Sequence, residues 1–155
     1  MTTKPRYATI GSVSEGTMRD EDLISSFTWE LEHYLQRLRL TRDQRKQFTD
    51  LVRECNDWEP HDDTGEDGSV LVGELFDALD EIAPPHCYFG ASDGDGASYG
   101  FWPYVDNDEL PRFNAGDEIP REHWREDIYI ITDHGNVTCG YVNGHGKLIE
   151  YWSCV

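Results

Sequence analysis

The sequence predicts an α+β protein in which N-terminal helices pack on an antiparallel β-sheet formed mainly by the C-terminal half. Two observations carry this prediction: apolar residues recur at helical spacing up to residue 82, and short segments rich in β-formers follow Pro84-Pro85. Helices first and strands afterwards are typical of this class. Because the 155 residues contain no long linker and no internal repeat, we expect one acidic domain over residues 1–155.

The first elements are a short strand and two helices. "YATIGSV", residues 7–13, alternates and favours β-structure. The spacing then predicts a helix of about 20 residues. Thr41 and Gln44 form the pattern of a capping box that opens a second helix. The apolar stripe of the first helix is Leu23, Ile24, Phe27, Leu31, Tyr34, Leu35 and Leu38, and that of the second is Phe48, Leu51, Val52 and Cys55.

A third helix is predicted from about residue 69 to residue 82, ending before the two prolines. At 100° per residue its apolar side chains share one side, which we expect to be buried. The acidic residues of this helix are expected to face water together on the other side: Glu74, Asp77, Asp80 and Glu81.

The remaining segments are predicted to be strands. "HCYFG" and "SYGFWPY" flank the Gly-rich stretch "ASDGDGA" and indicate a hairpin. Residues 105–124 are expected to be irregular. "DIYIITD", "NVTCGYV" and "KLIEYWS" are separated by Gly-containing turns, so they predict a three-stranded antiparallel meander.

The charge is distributed unevenly along the chain. The formal net charge is −18, yet residues 1–50 contain eight acids and eight bases. Between Arg53 and Arg112 there are sixteen carboxylates and no Lys or Arg. Such asymmetry indicates either an interaction surface or an acidic surface that serves solubility alone.

We interpret the acidic run as a surface that imitates nucleic acid. Duplex DNA carries one negative charge per about 1.7 Å, so sixteen charges correspond to about 27 Å of duplex. A basic groove that evolved for phosphates would attract such a surface, whereas nucleic acid itself would be repelled. The predicted partner-facing residues are Asp57, Glu59, Asp62, Asp63, Glu66, Asp67, Glu74, Asp77, Asp80, Glu81, Asp93, Asp95, Asp106, Asp108 and Glu109.

An alternative is a calcium-responsive binding module. Asp63, Asp67, Gly68 and Glu74 occupy positions 1, 5, 6 and 12 of the EF-hand pattern. Position 3 is Gly65 rather than Asp or Asn, which weakens the match. The other interpretation of these acids is that they lie near a helix N-terminus, where the dipole favours them. The alternative metal ligands are therefore Asp63, Asp67 and Glu74, and the main hypothesis includes neither a metal nor a cofactor.

A second alternative is a small enzyme with an unrecognised site near Tyr99 or Trp102. No enzyme class is supported by a motif. His86 and Cys87 are adjacent, so on a strand their side chains would point to opposite faces and the histidine would not activate the thiol. We therefore expect no catalytic residues.

The chain has no apolar run as long as a membrane span and no apolar stretch typical of a signal peptide near its start. Its cysteines are scattered without close pairs: Cys55, Cys87, Cys139 and Cys154. We expect reduced thiols, a cytoplasmic location and no association with membranes.

Three segments carry a resemblance to other proteins. "SEGTMRDEDLI" (14–24), "APPHCYFGASDGDGASYGFWP" (83–103) and "DHGNVT" (133–138) resemble small acidic, largely uncharacterised proteins of bacterial plasmids and phages. This resemblance implies a mobile-element product that acts on host machinery, like the similarly small and acidic anti-restriction and anti-CRISPR inhibitors. It supplies no catalytic residues. The leading hypothesis is a non-enzymatic inhibitor that blocks the nucleic-acid-binding groove of a host defence complex.

Overall fold

The computed structural model describes residues 4–60, 66–104 and 109–154, and it confirms the predicted α+β class. The chain divides into two compact units: Met1–Ala83 with Cys87–Trp102, and Pro84–His86 with Pro103–Val155. The strands form two separate sheets, one of three strands and one of four, rather than the single sheet expected. The single domain over residues 1–155 stays a prediction.

Within the described residues, the first unit contains three α-helices and a three-stranded sheet. The helices are α1 (Asp20–Arg37), α2 (Arg42–Asp57) and α3 (Glu66–Glu81), so all three predicted helices are confirmed. The strands are β1 (Gly11–Ser14), β2 (Cys87–Ser92) and β3 (Asp95–Pro103), in the order β1-β3-β2. β1 runs antiparallel to β3.

The first strand is shorter than predicted because the backbone N–H groups just before it donate hydrogen bonds to residues of the helical region and not to a neighbouring strand. The backbone nitrogen of Ala8 donates to the carbonyl of Ile82 at 2.8 Å. The backbone nitrogen of Thr9 donates to the Tyr34 hydroxyl at 3.0 Å. With these donors occupied, ladder pairing begins only at Gly11.

The helix starts follow the local chemistry of the sequence. The Thr41 hydroxyl accepts from the Gln44 backbone nitrogen at 3.1 Å, and the Gln44 side chain accepts from the Thr41 nitrogen at 3.0 Å. The predicted capping box is thus confirmed. α3 begins at Glu66 rather than near residue 69, which places Glu66 and Asp67 in its first turn, where the helix dipole stabilises carboxylates.

The core of the first unit is rich in aromatic rings. Phe27 lies edge-on to Phe89 and Tyr99, with ring centroids 5.1 and 5.8 Å apart. Phe101 and Leu75 are completely buried beside them. Edge-to-face contacts of this kind add specificity to the apolar burial, so the helices are held in a defined position on the sheet.

The second unit is built on a four-stranded sheet. Its strands are β4 (Arg112–Asn114), β5 (Asp127–Ile131), β6 (Val137–Val142) and β7 (Leu148–Cys154), in that order across the sheet. The predicted antiparallel meander of β5, β6 and β7 is confirmed. A 3-10 turn over Arg121–His123 precedes β5, and Ile128, Tyr129, Cys139 and Val142 are completely buried.

The prediction that residues 105–124 are irregular is wrong at β4. This segment pairs with β5 in parallel, with Arg112 opposite Tyr129 and Asn114 opposite Ile131. Three residues are too few to show an alternating pattern, so the pairing partner defines the strand. Residues 105–108 lie outside the described part of the chain. No helix within the described ranges is long and apolar enough to cross a membrane.

Candidate interaction site: an acidic groove between two helices

The helix α2 presents different chemistry on its two edges. On the edge towards α1, the Arg45 guanidinium donates to the Leu35 carbonyl at 2.8 Å, and the Asn56 amide donates to Glu32 at 3.1 Å. On the edge towards α3, Asp50 and Glu54 line a groove. The helix therefore directs carboxylates towards α3.

The facing edge of α3 is acidic as well. Glu74, Asp77 and Glu81 line the same groove, a cavity of about 430 Å³. Their spacing of three and four residues places them on one face of the helix. The two helices thus bring carboxylates together across a shallow channel, which has Phe48, Leu51 and Ala78 among its lining residues.

The groove continues towards the N-terminal end of α3. A neighbouring cavity of about 390 Å³ is lined by Glu54, Asp57 and Asp67, together with Trp58 and two apolar residues. Because Glu54 lines both cavities, they are adjacent. We call the two cavities together the acidic groove and define it by its seven carboxylates: Asp50, Glu54, Asp57, Asp67, Glu74, Asp77 and Glu81.

Little positive charge neutralises the groove. Among the described residues that line it, none is Lys, Arg or His. Lys46 and Arg53 approach Asp50 at 4.0 and 3.8 Å, but their side chains are 80% and 71% exposed. Exposed ion pairs of this length contribute little and are screened by salt. The groove therefore retains a concentrated negative potential.

The average charge density of the groove, counted over both helices, is close to that of a single nucleic-acid strand. Asp67 and Glu81 are fourteen residues apart on α3, which corresponds to about 21 Å along the helix. Seven charges over that length amount to one per about 3 Å, against about 3.4 Å per charge for one strand and about 1.7 Å for duplex. The duplex estimate made from the whole acidic run is therefore too high for the groove.

Five of the predicted partner-facing residues line the acidic groove: Asp57, Asp67, Glu74, Asp77 and Glu81. Asp50 and Glu54 also line it but were absent from the predicted set. The spacing of Asp50, Glu54 and Asp57 by four and three residues is a signal that could have found them. Asp50 lies before the cation-free run from which the prediction started, whereas Glu54 lies within that run but before residue 57, where the predicted surface began.

Asp80 was predicted to face water together with Glu74, Asp77 and Glu81, and all four are exposed, but Asp80 does not line the acidic groove. One oxygen of Asp80 accepts a hydrogen bond from the Phe89 backbone nitrogen at 2.9 Å. Six residue steps along a helix rotate Asp80 by about 120° away from Glu74. It consequently faces β2 rather than α2.

The other predicted residues do not line the groove. Glu59 follows α2 and Glu66 opens α3, and both are exposed at the ends of the groove-forming helices. Asp93 lies in the turn between β2 and β3, and Asp95 begins β3 and accepts from the Ala97 nitrogen at 3.0 Å. Glu109 belongs to the second unit. Four predicted residues lie outside the described ranges: Asp62, Asp63, Asp106 and Asp108.

Within the described residues, the chain does not form the loop that the EF-hand interpretation requires. Asp67, Gly68 and Glu74 all belong to α3, so positions 5 to 12 of the pattern are helical. An EF-hand instead needs a sharp turn at the central glycine. Asp63 lies outside the described residues, and within those ranges no three His, Cys, Asp or Glu side chains form a cluster that could hold a metal ion.

The residues of the enzyme alternative contribute to the structure of the hairpin. Tyr99 is buried in the aromatic core, and the Trp102 indole donates to the Gly90 carbonyl at 3.0 Å. These contacts position the two rings within the first unit. All four cysteines are present as thiols rather than disulfides.

The second unit contains a polar cluster that sequence reasoning missed. His86 Nε2 lies 2.8 Å from one oxygen of Asp127, and the Tyr151 hydroxyl donates to the other at 2.8 Å. His86 also has a left-handed backbone with φ of 62°, unusual for a residue other than glycine. The Trp152 indole donates to the neighbouring Pro85 carbonyl at 2.7 Å. Together these contacts fasten residues 84–86 to the second sheet.

The fold and the site define an acidic α+β protein whose first unit carries an anionic groove. No protein family matches the chain, and neither a curated protein nor a solved structure matches it. The function is therefore inferred from the chemistry of the groove.

Proposed function

We propose that this chain is a non-enzymatic inhibitor of a host defence complex, of the anti-restriction or anti-CRISPR type. Its acidic groove occupies a basic surface that normally binds nucleic acid. The partner is a basic nucleic-acid-binding protein or complex in the cytoplasm, and the chain itself binds neither nucleic acid nor membrane. The resemblance of three segments to plasmid and phage proteins is consistent with this role.

The observation that carries the proposal is the acidic groove. It concentrates seven carboxylates along about 21 Å of two packed helices, and the described residues that line it include no cation. Helices hold these groups on a fixed backbone, so little main-chain order is lost on binding. Dense negative charge on a fixed backbone is the property that a phosphate-binding groove recognises.

The chemistry of the groove favours binding to Lys and Arg. Ionised carboxylates are hydrogen-bond acceptors, and Arg matches them in a two-pronged geometry. Long-range attraction between the groove and a basic surface would speed association and make it sensitive to salt. Once bound, the chain would exclude nucleic acid by occupying the same cations.

A capture experiment tests the proposal. The immobilised protein is exposed to lysate of a bacterial host at about 50 mM salt, and bound proteins are eluted with DNA or RNA or with about 500 mM salt. We expect nucleic-acid-binding proteins that are released by either treatment. Retained partners that neither nucleic acid nor salt displaces would contradict charge mimicry.

Two variants with the same change in net charge assign the effect to the groove. Glu74→Lys, Asp77→Lys and Glu81→Lys together reverse three groove charges, and we expect this variant to fold and to lose capture. Asp117→Lys, Glu118→Lys and Asp133→Lys reverse three exposed charges of the second unit. This control is expected to retain capture. Equal loss in both variants would show that net charge, rather than the groove, attracts the partner.

A further inference from the structure

The first unit contains a further cavity, beside the connection between α1 and α2 and the C-terminal end of α3. Its volume is about 340 Å³, which is at the lower end of the range of small-ligand sites. We call it the arginine pocket, because two guanidinium groups line it. The lining residues that matter below are Arg6, Tyr7, Arg39, Thr41, Gln44 and Glu81.

Main-chain hydrogen bonds hold the two arginines at the pocket. The Arg39 nitrogen donates to the Pro5 carbonyl at 2.9 Å, and the Ala8 nitrogen donates to the Ile82 carbonyl at 2.8 Å. Residues 5–8 are thereby fastened to the chain that follows α1 and to the chain that follows α3, and Arg6 lies between the two attachments. Because this main chain is already fixed, little backbone order is lost when a ligand binds.

Neither arginine of the pocket is paired with an acidic side chain. The chain has 31 Asp and Glu and only 13 Lys and Arg, so carboxylates are plentiful. Nevertheless, within the described ranges no side chain forms an ion pair or a hydrogen bond with the guanidinium of Arg6 or Arg39. A guanidinium carries five N–H donors. Two such groups at one cavity, both without a carboxylate, indicate that the pocket can receive an anion.

Among the described residues that line the pocket, Glu81 is the only acid. One of its oxygens accepts from the Gln44 side-chain amide at 3.0 Å, and the Gln44 side-chain oxygen accepts from the Thr41 nitrogen at 3.0 Å. Glu81 is thus held by Gln44 and not by an arginine. Two arginines against one glutamate leave the lining with one net positive charge, in a chain whose net charge is −18. More distant carboxylates are screened beyond about 8–10 Å at physiological salt.

The chemistry of the lining indicates a phosphate ester that carries a flat ring. Guanidinium groups match the oxygens of phosphate and carboxylate in a two-pronged geometry. A phosphate monoester carries about −1.5 to −2 charges at pH 7, so it can satisfy two arginines, whereas a carboxylate carries a single charge. Tyr7 lines the same pocket and is 43% exposed. An exposed aromatic ring is a stacking surface for a nucleobase.

We infer that the arginine pocket binds a nucleoside monophosphate. The phosphate lies between Arg6 and Arg39, and the base packs against the Tyr7 ring. This inference goes beyond the proposed function and does not depend on it, because the acidic groove and the arginine pocket share only Glu81. A mononucleotide carries at most about two negative charges, so the acidic surface repels it far less than it repels a nucleic-acid strand.

The test is an NMR titration at low salt with adenosine monophosphate, inorganic phosphate and adenosine. With adenosine monophosphate we expect saturable shifts of the backbone amide resonances of Arg6, Tyr7 and Arg39. Phosphate should bind more weakly, and adenosine should not bind. Resonances that do not move at millimolar adenosine monophosphate overturn the inference. Adenosine that binds as well as its monophosphate also overturns it, because the phosphate is then not recognised.

A matched pair of double variants locates the binding at the pocket. Arg6→Gln with Arg39→Gln removes both cations of the lining, and the affinity for adenosine monophosphate should fall about tenfold or more. Lys46→Gln with Arg53→Gln removes two cations of α2 that do not line the pocket, and it should keep the affinity. All four side chains are exposed, so both variants should fold. The same loss of affinity in both would reflect net charge alone and would overturn the inference.

Two single variants test the position of the ligand. Glu81→Gln keeps the oxygen that accepts from Gln44 and removes the charge, so the affinity for adenosine monophosphate should rise about two- to fivefold. Tyr7→Leu removes the aromatic ring, so it should lower this affinity to that for inorganic phosphate and leave phosphate binding unchanged. An affinity that does not rise in Glu81→Gln contradicts the position of the phosphate. An unchanged affinity in Tyr7→Leu contradicts the stacking of the base.

Discussion

Asp80 Oδ1 accepts a hydrogen bond of 2.9 Å from the backbone nitrogen of Phe89. This contact joins α3 to β2, which follows it in the chain. It also separates Asp80 from the carboxylates of the acidic groove, although all belong to the same helix. Asp80 is thus a structural carboxylate, whereas Glu74, Asp77 and Glu81 line the acidic groove, where one oxygen of Glu81 accepts from the Gln44 side chain at 3.0 Å.

The first prediction concerns stability. Asp80→Ala should lower the free energy of unfolding by about 1–3 kcal/mol, because the part-buried Phe89 nitrogen loses its acceptor. Asp80→Asn keeps a side-chain oxygen and should cost less. Urea unfolding measures both, with Asp77→Ala as the control that is expected to change stability little. Equal effects at positions 77 and 80 would contradict the different roles of the two carboxylates.

The helices could be predicted from the sequence because the patterns that specify them lie within short stretches of the chain. The apolar stripe of α1 and the Thr41 capping box both appear at fixed short spacings, and both are found as expected. The exposure of Asp80 was predicted, but its hydrogen bond to Phe89 was not, because Phe89 lies on a strand whose packing no helical pattern reveals. β4 was missed for the same reason, since its pairing with β5 is supplied by a distant segment.

The site was only partly predictable. A run of acidic residues is visible in the sequence, but the groove is formed by the edges of two helices that face each other. Glu54 and Glu74 line the same cavity because α2 and α3 pack side by side, which the run does not encode.

A second prediction tests the packing of β1 on β3. A Cβ at Gly100 would lie 2.2 Å from the Gly11 carbonyl oxygen and 2.8 Å from the Ser12 Cα, both backbone atoms. Gly100→Ala should therefore displace β1 and destabilise the protein by about 1–3 kcal/mol or more. Gly94→Ala is the matched control, since nothing lies within 4 Å of its added carbon. Thermal unfolding with similar midpoints for both variants would contradict the observed strand pairing.

A third prediction concerns alkaline pH. Burial raises the pKa of the Cys55 thiol above its ordinary value of 9.0, so the unfolded chain ionises before the folded one. Stability is then fully present below about pH 9 and falls as pH rises through the folded pKa. Cys55→Ala should show a shallower decline between about pH 8 and 10. Parallel declines in urea midpoint for the two proteins would contradict this contribution.

A fourth prediction concerns salt. Repulsion among the groove carboxylates should weaken as salt screens them, so the melting temperature should rise with sodium chloride. Relief of about 1 kcal/mol corresponds to about 2–4 °C for a chain of this size. The melting temperature, measured by calorimetry, should rise less with salt for the Glu74→Lys, Asp77→Lys and Glu81→Lys variant. It should rise more for the control with reversals at 117, 118 and 133 than for this groove variant. A groove variant with the wild-type response would show that these charges do not repel one another appreciably.

The most direct measurement of the central claim is a calorimetric titration of the captured target with this chain. It is done once with the free target and once with the target saturated by its nucleic acid. We predict that binding heat disappears in the saturated target, and that the groove variant gives no heat with either. Undiminished binding to the nucleic-acid-saturated target would show that the acidic groove does not occupy the nucleic-acid site.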